Sequence, residues 1–150
     1  PKPSSAASDV YKRQALYRHV THSAGSERVS LVTDAMAAAG MADGAYRIGP
    51  LAVDVTDGVA HLAGTETIAG STATMDRLFR FAVDHSGLPR DEALMVAVLQ
   101  SSINPARALG LPNPTLQRGA RADLVVLDDQ LGVSAVLSAG AWVDELVSGA

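Results

Sequence analysis

From Met75 the apolar residues recur with a helical period. Met75, Leu78, Phe79, Ala82 and Val83 fall at i, i+3, i+4, i+7 and i+8, which predicts an amphipathic helix with one stripe against a core. Gly87 is placed to close it, since glycine accepts the left-handed backbone that ends helices. Pro89, followed by Asp91 and Glu92, opens a second helix: proline loses no needed donor in a first turn, and carboxylates complement the helix dipole there. Residues 93–99 are apolar all round, which predicts cover on several sides and a larger assembly than a two-layer miniature. Asn104-Pro105 begins a short third helix ending at Gly110. Upstream, residues 15–24 predict a short helix with Leu16 and Val20 on one side and Gly25 as its stop.

A different pattern occupies the rest of the chain. Residues 29–32 are a strand-like run that ends in Thr33-Asp34, and residues 46–48, 51–55 and 59–62 are short strands punctuated by Gly49-Pro50 and Asp57-Gly58. Asp-Gly between apolar residues is a strong hairpin signal, because both positions accept positive φ. Residues 122–127 and 133–137 are apolar, β-branched runs, and 141–143 add a third strand. The mixture is α/β, without an internal repeat.

Composition changes this picture in three ways. With 150 residues, 47% of them hydrophobic and 19% charged, the chain is long and apolar enough to build one core or a large piece of a bigger one. Its net charge of −4, without long runs of one sign, argues against nucleic acid as a partner. There is no cysteine, so disulfides and thiolate metal sites are excluded and any metal would need His and carboxylates. No apolar run is long enough for a bilayer, and no signal-peptide core is visible, so the expectation is a soluble, cytoplasmic protein without a membrane partner. Residues 1–14 are rich in Ser, Ala and Pro, lack an apolar period and do not begin with Met. Residues 1–28 carry five basic and two acidic side chains, whereas the remainder carries seven and fourteen. These features predict a foreign-looking or disordered head over 1–14.

Candidate chemistry centres on Asp34, a carboxylate where a strand should stop. Strand ends are rigid and the loops beyond them are open to ligand, so catalytic groups collect there in barrel and open α/β folds. The same Asp also fits a turn former or helix N-cap. Ile68-Ala69-Gly70-Ser71-Thr72 reads as a loop entering a helix N-terminus. Gly70 would let a ligand approach the backbone without a Cβ in the way, or else supply a turn with Ser71 or Thr72 as cap. His19 and His22 share a helical face but lack a third ligand. His61 and His85 are read as structural, Arg77 and Arg80 as a solvated face, and Arg107 as a tie from its helix to a neighbouring carboxylate or carbonyl. No phosphate-loop, dinucleotide, Ser/His/Asp or Cys/His pattern occurs.

Four segments taken in order carry a resemblance: Leu31-Val32-Thr33-Asp34-Ala35-Met36, Thr67-Ile68-Ala69-Gly70-Ser71-Thr72 with Met75-Asp76, Asn104-Pro105-Ala106-Arg107-Ala108-Leu109-Gly110-Leu111, and Gly119-Ala120-Arg121-Ala122-Asp123-Leu124-Val125-Val126-Leu127-Asp128. Over residues 15–145 they resemble the C-terminal part of N-acetylglucosamine-6-phosphate deacetylase, a member of the amidohydrolase superfamily. The last two segments are shared widely in that superfamily, and the first two discriminate. The resemblance implies the C-terminal part of a (β/α)8 metal-dependent hydrolase barrel over 15–112, with a β-hairpin insertion at 45–63, and C-terminal strands of a small β-sandwich domain over 113–150.

It also implies that the full-length enzyme hydrolyses the acetamide of N-acetylglucosamine 6-phosphate, in amino-sugar catabolism. A divalent metal, zinc or similar, would lower the pKa of the attacking water, and Asp34 would be base and then acid. Ile68, Ala69 and Gly70 would lie against the amino-sugar phosphate, and the full-length parent would be a homo-oligomer. The metal ligands of the family precede the Asp34 strand, so no metal site is expected in this fragment and the fragment alone is expected to be inactive. Two other readings stay open: another metal-dependent amidohydrolase acting on a cyclic amide, and a non-catalytic α/β binding or assembly module.

Overall fold

Helix α1 runs over Ser5–Ala24 and leads through a 3₁₀ turn at Ser26–Arg28 into an extended segment that ends at Asp34. This is a computed structural model, which describes the backbone of residues 5–143 and the side chains of residues 13–143. Helix α1 therefore starts ten residues before residue 15, where the sequence places its beginning. Between Ser4 and Gly25 the chain has no proline or glycine to break a helix, and Ala, Lys, Arg and Gln favour one. Residues 1–4 and 144–150, including the end of the expected 113–150 unit, lie outside the described residues.

Strands β1 (Gly44–Ile48), β2 (Leu51–Thr56), β3 (Val59–Leu62) and β4 (Ile68–Gly70) form an antiparallel meander in that order. The turns sit where the sequence placed them, with Gly49 at φ 56°, Asp57 at 51° and Gly58 at 69°. Two consecutive positive φ values match the right-handed twist of a tight hairpin. Pairing of Val53 with Leu62 and Val55 with Ala60 puts alternate residues on one face, where Val53, Val55, Ala60 and Ala38 form a small core.

Helices α2 (Met75–His85) and α3 (Arg90–Val98) build the second core from Ala82, Val83, Ala93, Ala97 and Leu131, with Phe79 and Leu94 packed against it. Gly87 follows α2 at φ 78°, as its pattern predicts. The expectation for residues 93–99 is met on one side only. Ala93 and Ala97 are buried, whereas Met95 is 68% and Val98 43% exposed. The third helix, α4 (Asn104–Ala108), is not separate but continues α3 through a π-helical turn over Leu99–Ile103. The wider turn lets Pro105 sit in a continuing helix, since a proline ring presses on the carbonyl four residues earlier and brings no N–H. Leu111 N–H donates to Ala106 O at 2.9 Å and Gly110 N–H to Arg107 O at 3.1 Å, a Schellman ending around Gly110.

Strands β5 (Leu124–Leu127), β6 (Val133–Ser138) and β7 (Ala141–Trp142) make a second antiparallel sheet in sequence order. It is joined to the helices through Arg80, which donates to Leu131 O at 3.0 Å and to Asp76 at 2.6 Å. Burial pushes the Asp76 carboxyl upward, but hydrogen bonds from Thr74 and Arg80, the Arg80 charge and the Arg77 amide outweigh it and hold it below the usual carboxylate range.

One expected strand does not form. Residues 29–34 alternate between half-buried (Val29, Leu31, Thr33) and exposed (Ser30, Val32, Asp34), yet no strand pairs with them among the described residues. A ladder needs a neighbour, and here the helices substitute for one: Leu31 N–H donates to Gln100 O at 2.8 Å, and Asn104 Nδ2 donates to Val29 O at 2.6 Å and Ser26 O at 2.9 Å. Asn104, rather than the exposed Arg107, is thus the tie that the sequence assigned to this helix.

Gln100 is fully buried in the π turn; its Oε1 accepts from Tyr17 O–H at 2.7 Å and its Nε2 donates to Thr21 Oγ1 at 3.2 Å. Burial pushes the Tyr17 hydroxyl pKa up, with its hydrogen bonds to Thr21 and Gln100 opposing. Gln100→Leu strands both hydroxyl partners and should cost about 1–3 kcal/mol in chemical denaturation. Isosteric loss without penalty would remove this role. For Asp76, a folded pKa below the unfolded value means a contribution present above about pH 3.9 and lost as pH falls through the folded value. Asp76→Asn should therefore lower stability near neutrality by on the order of 0.5–1 kcal/mol, with the gap to wild type closing in thermal melts below about pH 4.

Candidate functional site

Asp34 ends the extended segment at φ 47°, a left-handed conformation that Asp tolerates better than most residues. The next residue, Ala35, makes a parallel bridge to Ser71, and Met36 N–H donates to Ser71 O at 2.8 Å. This contact draws Asp34 to the residues that leave β4. Asp34, Ile68, Ala69 and Gly70 all line one open cavity of about 820 Å³, with Ser71 and Thr72 beside them and Arg77 on its helical wall. Its size falls within the roughly 300–1,000 Å³ of small-molecule sites.

The local structure of the Ile68–Gly70 wall differs from the sequence expectation. These residues are strand β4, paired with β3 through His61 and Ala60, and not a loop against a helix N-terminus. The helix begins later, at Met75, with Thr74 as N-cap and no capping bond from Ser71 or Thr72. Ser71 Oγ instead accepts from Ala73 N–H at 3.1 Å, and Thr72 donates its hydroxyl to Gly58 O. The bare side of Gly70 is not open to a ligand. A Cβ there would lie 3.4 Å from both Ile48 Cδ1 and Met36 Cβ, so the glycine serves packing between β4 and the Asp34 segment.

Two bracing residues have no signature in the sequence pattern. Asp43 accepts from Asp57 N–H at 2.5 Å and Gly58 N–H at 3.1 Å, which fixes the turn that forms one rim of the cavity. Gln100, through Leu31, holds the chain three residues before Asp34. An Asp just before a strand was the only available hint of the first, and a buried polar residue in an apolar helix of the second.

The histidines stay apart from this cavity. His19 and His22 are exposed on α1. His61 lies on β3 opposite Asp54, and His85 stacks edge-on against Phe81 with ring centroids 4.7 Å apart. Arg18 Nε donates to the His85 carbonyl at 2.7 Å, so this end of α2 is a packing joint with α1. Among the described residues no three His, Cys, Asp or Glu side chains are grouped so as to hold a metal. No helix among them is long and apolar enough to cross a membrane.

Gly70→Ala should fold with nearly unchanged thermal stability, because the added carbon makes ordinary contact. Gly70→Val should lose on the order of 1–3 kcal/mol by overpacking Met36 and Ile48. Equal behaviour of the two variants in a denaturant titration would contradict this packing role.

No protein-family model matches the chain. Human N-acetylglucosamine-6-phosphate deacetylase is 40% identical over 126 residues, covering 83% of this chain and 30% of the human protein. Among solved structures, an aspartate-to-alanine mutant of N-acetyl-D-glucosamine-6-phosphate deacetylase from Mycobacterium smegmatis, in complex with N-acetyl-D-glucosamine-6-phosphate, superposes with a TM-score of 0.82. It is 64% identical, over 86% of this chain and 34% of the other. The Thermotoga maritima N-acetylglucosamine-6-phosphate deacetylase gives a TM-score of 0.75 at 32% identity, over 86% of this chain and 34% of the other. The chain thus spans about a third of the length of these relatives. Matched along most of its own length, the chain is a homologue of the N-acetylglucosamine-6-phosphate deacetylases, consistent with a fragment of such an enzyme.

Proposed function

We propose that the complete enzyme to which this chain belongs hydrolyses the acetamide of N-acetylglucosamine 6-phosphate, giving glucosamine 6-phosphate and acetate, and that Asp34 is its proton shuttle. The observation that carries this reading is the shared cavity: Asp34 and Ile68-Ala69-Gly70, far apart in the sequence, line the same space. Attack of water on the acetamide carbonyl forms a new C–O bond and releases a proton. A carboxylate within about 3 Å accepts it and returns it to the nitrogen as the C–N bond breaks, so that acetate and the free amine leave. Asp34, on a short connection whose neighbours are fixed by Ser71 and Gln100, has the exposure and the rigid mount for both transfers. The β4 backbone is the surface for the sugar.

The resemblance implies a divalent metal in the complete enzyme, but the donor set described above does not fit one. The ligands are assigned to sequence preceding this part of the enzyme. On the same reading, residues 15–112 are the C-terminal part of a (β/α)8 barrel with the hairpin insertion at 45–63, and 113–150 are strands of a small β-sandwich. The parallel bridge between Ala35 and Ser71 and the separation of the two sheets support that division. A homo-oligomeric, cytoplasmic parent fits the class of metabolic enzyme that the relatives represent.

The purified chain alone should show no turnover of N-acetylglucosamine 6-phosphate above background; robust turnover by it would end the fragment reading. In the complete enzyme, Asp34→Asn should lower kcat by about 10²–10⁴-fold while KM and metal content stay close to wild type. Near-normal turnover of that variant would remove Asp34 from the shuttle role.

A further inference from the structure

The Asp57-Gly58 turn is braced more heavily than a turn of its kind requires. Its two residues take positive φ, 51° and 69°, and Asp-Gly adopts that pair readily, so the β2–β3 hairpin can close on its own chemistry. Three further contacts nevertheless meet there. Asp43 accepts from the Asp57 N–H at 2.5 Å and from the Gly58 N–H at 3.1 Å. Thr72 donates its hydroxyl to the Gly58 carbonyl. Arg77 covers the bare side of the glycine, its Nη1 lying 3.9 Å from where a Cβ on Gly58 would stand.

All three braces come from outside the hairpin that they hold. Asp43 precedes β1, Thr72 follows β4 and Arg77 is on α2. The pairing of β1 with β2 ends at Gly44 opposite Val55, so the backbone of β1 stops short of the turn and the Asp43 carboxylate reaches the amides beyond it. Asp43 is itself held in place, because the Tyr46 hydroxyl donates to the carbonyl of the preceding residue, Ala42, at 2.5 Å and Tyr46 packs on the core of the meander. Asp43 and Asp57 are both exposed, and neither core contains them, so the braces serve no buried packing. What they do fix is a wall. Asp57, Gly58 and Val59 line the same cavity as Asp34 and Ile68-Ala69-Gly70, whereas Asp43 stands behind the turn and is not part of the lining.

We propose that Asp43 is a positioning residue for substrate recognition: through the Asp57 and Gly58 amides it fixes the hairpin wall of the cavity against which the amino-sugar phosphate is held. This inference rests on the deacetylase reading of that cavity. It assigns the hairpin to binding and not to the bond-breaking step, because Asp34 is mounted separately, through the Ser71 contact after it and the Gln100 contact before it. A wall that touches ground state and transition state alike contributes to KM and leaves kcat unchanged.

Steady-state kinetics of the complete enzyme test the proposal. Asp43→Ala should raise KM for N-acetylglucosamine 6-phosphate by at least about fivefold, with kcat within about twofold of wild type and an unchanged circular dichroism spectrum. Asp43→Asn, which keeps one acceptor oxygen for the two amides, should fall between them, and it decides the matter by its own KM if Asp43→Ala does not fold. Hydrogen exchange over residues 56–60 should quicken in the same order, slowest in wild type. Faster exchange with an unchanged KM overturns the proposal, because Asp43 then only stabilises the turn. So does a fall in kcat at constant KM, because Asp43 then acts on the reacting groups. Absence of turnover by the unaltered complete enzyme would overturn the deacetylase reading and this inference with it, whereas turnover with a KM indifferent to Asp43→Ala overturns this inference alone.

Discussion

The Asp34 segment has the shape of a strand without the ladder of one, and it is held by the π turn, through the Gln100 backbone carbonyl and the Asn104 side-chain amide. An extended backbone with no neighbour is held by whatever donors and acceptors reach it, and here those are the Gln100 carbonyl and the Asn104 amide. Both groups sit in or at the end of the π turn, whose extra width re-aims the helix and admits Pro105. Burying Gln100 completely would be costly without partners, since an unbonded amide in an apolar interior costs several kcal/mol. Tyr17 and Thr21 on α1 satisfy it. Gln100 therefore joins α1 through its side chain and the approach to the site through its backbone carbonyl.

This arrangement explains which parts were legible in the sequence. The α2 stripe, the Asp57-Gly58 hairpin and the Gly110 ending depend on residues within a few positions of one another, so a local pattern contains their cause. The register of β2 on β3 follows from the turn alone. The Gln100 network joins residues far apart in the sequence, and nothing in an apolar helical run announces that one polar residue will find Tyr17. Residues 29–32 are a strand-like run, but whether such a segment joins a ladder is decided by its neighbours. Gly70 shows a different limit. A glycine that packs closely, one that turns and one that admits a ligand have the same signature, and only the 3.4 Å approach to Met36 and Ile48 separates them.

The chain also leaves apolar surface that its own elements do not cover. Met95 is 68% exposed on α3, and Val32 is 72% exposed on the side of the Asp34 segment away from the helices. An isolated exposed apolar residue is ordinary, but a helix apolar on both sides and a strand-like segment bare on one side share a physical meaning: each has a face shaped for contact. The homology over about a third of the relatives' length accounts for these faces through the proposed barrel.

On the proposed chemistry, the division of the molecule has a mechanistic consequence. Proton transfer by a carboxylate requires placement within tenths of an ångström, and the elements that provide it are in this chain: the Ser71 contact beyond Asp34, the Gln100 contact before it, and Asp43 and Thr72 bracing the opposite rim. Activation of the water requires a different group, for which the described residues provide no ligand set. The two requirements are thus separable in sequence, and losing one need not disturb the geometry of the other. The forces that hold the Asp34 segment are packing and backbone hydrogen bonds.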